Sequence, residues 1–110
     1  MTFLYLPSNT MGHGDDVLGK KLLVSFLRSL AASEVKVDAV GCVNSGVFLT
    51  TEDGESLDAL RALEAKGARI ASCGTCLDYH GRRDALRVGA VGAMPQTIEI
   101  MASADRVIRP

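Results

Sequence analysis

The feature that most constrains this chain is a change of hydrophobic period that repeats from one end to the other. Short apolar runs alternate with longer stretches whose apolar residues recur at helical spacing, so strands and helices must follow one another in turn. Phe3-Leu4-Tyr5-Leu6, stopped by Pro7, reads as a buried strand. Val17, Leu18, Leu22, Leu23, Phe26, Leu27 and Leu30 then share one stripe, which predicts a helix from about Asp15 to Ala32. Asp15 and Asp16 suit the positive end of its dipole. Ala39–Val43 gives a second strand, closed by the turn-forming Asn44-Ser45-Gly46, and Leu57, Leu60 and Leu63 give a second helix ending at Gly67. Arg69–Ser72 predicts a third strand running into Cys73-Gly74-Thr75-Cys76, with a short helix from Leu77 to about Arg83. Val88–Val91 is a weak fourth strand. Pro95 stands where a helix with the stripe Ile98, Met101 and Ala102 begins, and Arg106–Ile108 is the last strand.

Alternation of this kind predicts an α/β fold, with a mostly parallel five-stranded sheet and helices on both faces. A length of 110 residues predicts one domain spanning 1–110, large enough for a single core. With 47% hydrophobic and 23% charged residues the chain is too apolar for disorder, and with no Trp its core must be aliphatic. A net charge of −1 supplies no basic face, so no nucleic-acid partner is expected. No apolar run approaches the ~20 residues of a membrane span, and Met1–Leu6 lacks the basic flank and cleavage site of a signal peptide. Three cysteines are an odd number and too few for a disulfide scaffold, which makes a cytoplasmic, reducing location the expectation.

In open parallel sheets ligands bind beyond the carboxyl ends of the strands. Three loops of unusual composition leave those ends: Ser8–Asp16, Asn44–Asp53 and Cys73–Tyr79. In the third, Cys73 and Cys76 are the candidate catalytic residues. A thiol reacts as thiolate, and a strand-to-helix junction lowers its pKa through free backbone N–H groups, while Gly74 leaves room for a reagent. The competing reading is two small cysteines that fill space. No cofactor motif is present. A zinc site built from Cys73, Cys76 and His13 lacks the fourth ligand of a structural site, so no metal is expected.

Met11-Gly12-His13-Gly14-Asp15-Asp16 has only one G-x-G, no P-loop lysine and two aspartates that would repel phosphate. A tight turn with acidic capping therefore accounts for it better than nucleotide binding. Gly12, His13 and Gly14 are nonetheless candidate binding residues, with His13 either a proton donor, a donor to a nearby thiolate, or an exposed loop histidine. Asn44, Ser45 and Thr75 are the polar candidates around the same crevice, where they offer contacts for a small molecule, and Gly74 is a candidate binding residue beside them. Val47, Phe48 and Leu49 are apolar residues in a loop, read either as local core or as a subunit contact. With Leu77 and Tyr79 they exceed the apolar surface a monomer comfortably exposes, so the expectation is a contact. Cys42 reads as a buried hydrophobe, and Arg82-Arg83 as a solvated helix end.

Taken together, Met11–Asp16, Asn44–Val47 with Leu49-Thr50, and the unbroken run Ser72-Cys-Gly-Thr-Cys-Leu-Asp-Tyr79 resemble the DsrE-like superfamily of small sulfur-relay proteins. Within it the chain looks most like the C-terminal domain of the YedF family, described as sulfurtransferase-like selenium-metabolism proteins. The likeness runs from about Ser8 to Ile108. It implies a three-layer α/β/α sandwich, a persulfide-bearing cysteine at the end of the third strand (Cys73), and a homo-oligomer, trimer or hexamer. It also implies a sulfur donor or acceptor protein, a TusA-like one among the candidates. Two departures stand out. His13 occupies a position where a basic residue such as Arg is expected, and the sequence carries no TusA-like domain before the first strand. The function expected is a sulfur relay, with Cys73 carrying a persulfide and Cys76 resolving or protecting it. The alternative is a redox-sensing module that forms a reversible Cys73–Cys76 disulfide.

Overall fold

Along β1 (Thr2–Leu6) the side chains alternate between two covered faces, Leu4 and Leu6 to one and Phe3 and Tyr5 to the other, and only Tyr5 of these four is not fully buried. A strand covered on both sides belongs in the middle of a sheet. The computed structural model, which describes residues 1–110, places it beside the centre of five strands in the order β4-β3-β2-β1-β5. The others are β2 (Ala39–Cys42), β3 (Arg69–Cys73), β4 (Ala90–Gly92) and β5 (Arg106–Ile108), and every pairing is parallel. Leu6 aligns with Cys42, Cys42 with Ser72, and Cys73 with Gly92, so the strands end together at one edge.

The helices are α1 (Asp16–Ala32), the single turn α2 (Phe48–Thr51), α3 (Glu55–Ala65), α4 (Gly74–Tyr79) and α5 (Met94–Ser103). The steps from β1 through β4 all run the same way across the sheet, whereas the β4-to-β5 connection returns across all of it. Right-handed crossovers therefore put α5 on the face opposite α1 and α3. Packing agrees. Leu23, Leu27 and Leu30 of α1, Leu57, Leu60 and Leu63 of α3, and Leu77 of α4 share one core with Leu4, Leu6, Val40, Cys42 and Ile70 of the sheet. No helix is long and apolar enough to cross a membrane.

The two helical layers are unequal. On the second face Phe3 is buried over Gly41, where a Cβ would stand 2.8 Å from its ring. Yet α5 has no fully buried residue, and Met94, Ile98, Val91 and Val107 are exposed around it.

Several boundaries differ from the expectations. The helix after Cys73 begins at Gly74 rather than Leu77 and ends at Tyr79, and the fourth strand is Ala90–Gly92 rather than Val88–Val91. The loop expected over Asn44–Asp53 is folded, as a 3₁₀ turn at Asn44–Val47 continued by α2. The subunit-contact reading of the apolar loop residues is corrected by this. Val47, Leu49 and Leu77 are core residues, Phe48 is half-buried, and only Tyr79 stands open. In α1, Val17, Leu18 and Leu22 of the sequence stripe are exposed. The loop after β1 packs on Gly19 instead, since Met11 donates its N–H to the Gly19 carbonyl and Thr10 lies 2.9 Å from where a Gly19 Cβ would be.

Gly46 locks the turn after β2 against the end of β1. A Cβ there would stand 2.0 Å from the Leu6 carbonyl oxygen, which itself accepts the Val43 N–H. Gly46→Ala must push these two backbones apart. It should lower stability by about 2–3 kcal/mol, read as a shifted urea midpoint at unchanged slope. An unchanged midpoint would mean that the close approach is not a feature of the folded protein.

Candidate functional site

Ser72, one residue before the candidate nucleophile, is a polar residue with no exposed surface. Its hydroxyl lies 2.7 Å from that of Thr50, which donates to the Val47 carbonyl, so the Ser72 hydroxyl donates to Thr50. This buried pair satisfies both hydroxyls and ties the end of β3 to the Asn44–Thr51 segment. Cys73 follows in extended backbone as the N-cap of α4. Gly74 lets the turn close, since a Cβ there would meet the Arg83 guanidinium at 2.9 Å and Val91 at 3.0 Å.

The two thiols are held differently. Cys73 is half-buried, and this burial pushes its thiol up. The backbone N–H of Cys76, the Cys76 thiol, and the N–H and hydroxyl of Thr75 outweigh it, leaving Cys73 below the ordinary thiol range. Cys76 is pushed up first by burial and then by the neighbouring Cys73 sulfur, against the backbone N–H of Asn44, which donates to its Sγ at 3.1 Å. Asn44 makes that contact from the left-handed region, φ +51°, which asparagine tolerates better than most residues. Of the two, Cys73 is thus the thiol that ionises first, with Cys76 still protonated beside it. A soft alkylating reagent at pH 7 should label Cys73 first, and the pH midpoint of its labelling should fall below that of Cys76. Peptide mapping of the labelled protein checks this, and equal midpoints would contradict the arrangement.

Cys73 opens into a cleft of about 580 Å³, a volume typical of small-molecule sites. Cys73–Cys76 form one wall, and Val91–Pro95 from the β4–α5 junction form the other. Arg83 stands at the rim with its guanidinium on Asp78, Nε to Oδ1 at 2.7 Å and Nη2 to Oδ2 at 3.0 Å, which holds the Asp78 carboxyl below its usual range. Arg82 is not free either: it pairs with Glu52 at 3.1 Å and lies 4.8 Å over the Phe48 ring, whose other neighbour is His80. A larger groove between α1 and α3, rimmed by Lys20, Arg28, Glu55 and Asp58, is lined by no cysteine.

The structure brings Cys73, Gly74, Thr75, Cys76 and the backbone of Asn44 into one site. Ser45 serves the scaffold, accepting the Asn9 N–H at 3.2 Å. Gly12, His13 and Gly14 lie in the exposed β1–α1 loop, with φ of +77° at Gly12 and +133° at Gly14, and line no part of the cleft at Cys73. His13 is not among the groups that lower the Cys73 thiol. Sequence reasoning missed the far wall, because nothing local marks Val91–Pro95 as partners of Cys73 until β4 pairs with β3.

The DsrE/DsrF-like family profile matches residues 19–110 of the chain. No curated protein matches. Among solved structures, the ychN protein from E. coli superposes with a TM-score of 0.66 at 15% identity, over 99% of this chain and 98% of that one. A protein of unknown function from Methanobacterium thermoautotrophicum, MTH1491, gives 0.68 at 23% identity, over 99% and 97%. At these identities the likeness is one of fold, the five-stranded parallel α/β sandwich described above.

Proposed function

Because the chain belongs to the DsrE/DsrF-like family, we propose that it is a sulfur-relay protein whose Cys73 carries sulfane sulfur as a persulfide. The observation that carries this reading is the Cys73 sulfur at the mouth of the cleft, supplied with donors from Thr75 and Cys76 that favour its anion. Loading is a thiol-exchange step. The Cys73 thiolate attacks the outer sulfur of a donor persulfide, the donor S–S bond breaks, and the donor leaves as its thiolate. No oxidant or reductant is consumed. Incubation with a persulfide donor in the absence of reductant, followed by intact mass and peptide mapping, tests it. Sulfur added first on Cys73 is expected, and a mass unchanged under saturating donor would end the proposal.

The finer parts of the reading are proposals of the same kind. The donor or acceptor is a thiol-bearing protein, TusA-like by the resemblance, and the reaction belongs in the cytoplasm, where thiols stay reduced. The run Ser72–Tyr79 supports a YedF-like branch, with selenium as an alternative cargo that a selenium donor in the same assay would reveal. A homo-oligomer, trimer or hexamer, is proposed through the α5 face, supported by the exposed Met94, Ile98, Val91 and Val107. Light scattering at tens of micromolar should show the assembly and Ile98→Asp should disperse it. A wild-type monomer under those conditions would remove it.

The proximity of the two thiols favours a second reading, in which a reversible Cys73–Cys76 disulfide senses redox state. Cys76→Ser separates the two. A carrier keeps its persulfide on Cys73 in this variant, whereas a sensor loses its response.

A further inference from the structure

Persulfide carriage by Cys73 uses only half of what the site contains. Cys76 is half-buried, packs against the main core, and has its own donor in the Asn44 N–H, which has no role in holding Cys73. That donor is built in by the fold. Asn44 is in the left-handed region, Gly46 lies against the Leu6 carbonyl, and Ser45 is fixed by the Asn9 N–H, so the amide reaches Cys76 from a turn with little freedom. Cys73 and Cys76 stand at the N-cap and in the first turn of α4 and line the same wall of the cleft. Both thiols line the cleft, and Cys76 alone has the Asn44 amide on its other side.

Resting on the carrier reading above, we propose that Cys76 is a second sulfur site, to which the sulfane sulfur passes from Cys73 and where the Asn44 amide holds it. The transfer balances without a co-reactant. The Cys76 thiol gives its proton to the terminal sulfur of the Cys73 persulfide, and the resulting Cys76 thiolate attacks that sulfur. The S–S bond at Cys73 breaks, and its electron pair leaves with the Cys73 thiolate. The products are a Cys76 persulfide and a regenerated Cys73 thiolate.

The competing step is attack on the inner sulfur, which forms the Cys73–Cys76 disulfide and expels hydrosulfide. The surroundings favour the first. Its leaving group is the Cys73 sulfur, already provided with the N–H groups of Thr75 and Cys76, and a better-stabilised leaving thiolate departs faster. Hydrosulfide would have to leave through a cleft where the one guanidinium at the rim is occupied by Asp78. Once Cys73 is regenerated it can load again, so the chain holds two sulfur atoms rather than one.

The test is a time course with inorganic polysulfide, quenched by alkylation, with each sulfur located by peptide fragmentation. In the wild-type protein sulfur should appear on Cys73 first and on Cys76 later, reaching two per chain. Cys76→Ser should stop at one, on Cys73. Cys73→Ser should load Cys76 at least about tenfold more slowly, because the entry thiolate is gone. Wild-type protein that keeps one sulfur on Cys73, or that accumulates the disulfide and releases hydrosulfide, overturns the second site while leaving Cys73 a carrier. Protein that takes up no sulfur at either cysteine overturns the carrier reading itself, and the second site with it.

Discussion

Cys73→Ser should reduce sulfur loading from a persulfide donor by more than about 100-fold, since a serine hydroxyl is not ionised near neutral pH and the thiolate is the nucleophile. The substitution is unusually clean. Cys73 is the N-cap of α4, a position where serine is among the preferred residues, and its side chain is only partly buried. The variant should therefore keep its urea midpoint within about 0.5 kcal/mol of wild type. Lost loading with retained stability locates the chemistry at one sulfur atom. A serine variant that loads at the wild-type rate would transfer the nucleophile's role to Cys76 and reverse the order of the relay.

That single position was legible because two signals coincide there. The apolar run Arg69–Ser72 ends as a strand, and a Cys-x-x-Cys begins at its next residue, so placing the thiol at the carboxyl edge of the sheet needed only the strand to be real. The sheet itself followed from the alternation of period, which does not depend on where each element starts. Boundaries did depend on packing. α4 has 6 residues, too few to show a helical period, and it opens on Gly74, a poor helix former by propensity. Contact with Arg83 and Val91 makes glycine the residue that fits there.

α2 was equally silent. Thr50 and Thr51 both turn their hydroxyls back to the Val47 carbonyl, a local bond that no hydrophobic pattern encodes. The Asn44 contribution was hidden for another reason. The group that matters is a backbone N–H, which every residue but proline has, and only the left-handed turn aims it at Cys76. The apolar pair Val47 and Leu49 points to a subunit contact only while its segment is taken for a loop, since loops are ordinarily surface. The 3₁₀ turn and α2 fold this one inward instead, and the exposed apolar residues lie around α5.

The third thiol makes its own contribution to stability depend on alkaline pH. Cys42 ends β2, aligned with Leu6 and Ser72, and is 1% exposed among the main core residues. Burial in that apolar setting pushes its pKa up to about 12, from the 9.0 of a free thiol. A raised native pKa means that the unfolded chain releases this proton first. Stability is therefore whole below about pH 9 and falls as pH rises towards 12, by up to about 1.4 kcal/mol per unit. Lysine, arginine and tyrosine titrate in the same window, so the measurement is a difference. Cys42→Ala should cost about 1 kcal/mol at pH 7 through the small cavity it leaves. Its deficit should then shrink, and by about pH 10.5 it should have reversed by an amount on the order of 2 kcal/mol relative to pH 7. Denaturant midpoints of the two proteins at both pH values give that number directly. Parallel curves would mean that Cys42 ionises in place, which requires water at the end of β2, directly beneath the Asn44 turn on which the second sulfur site depends.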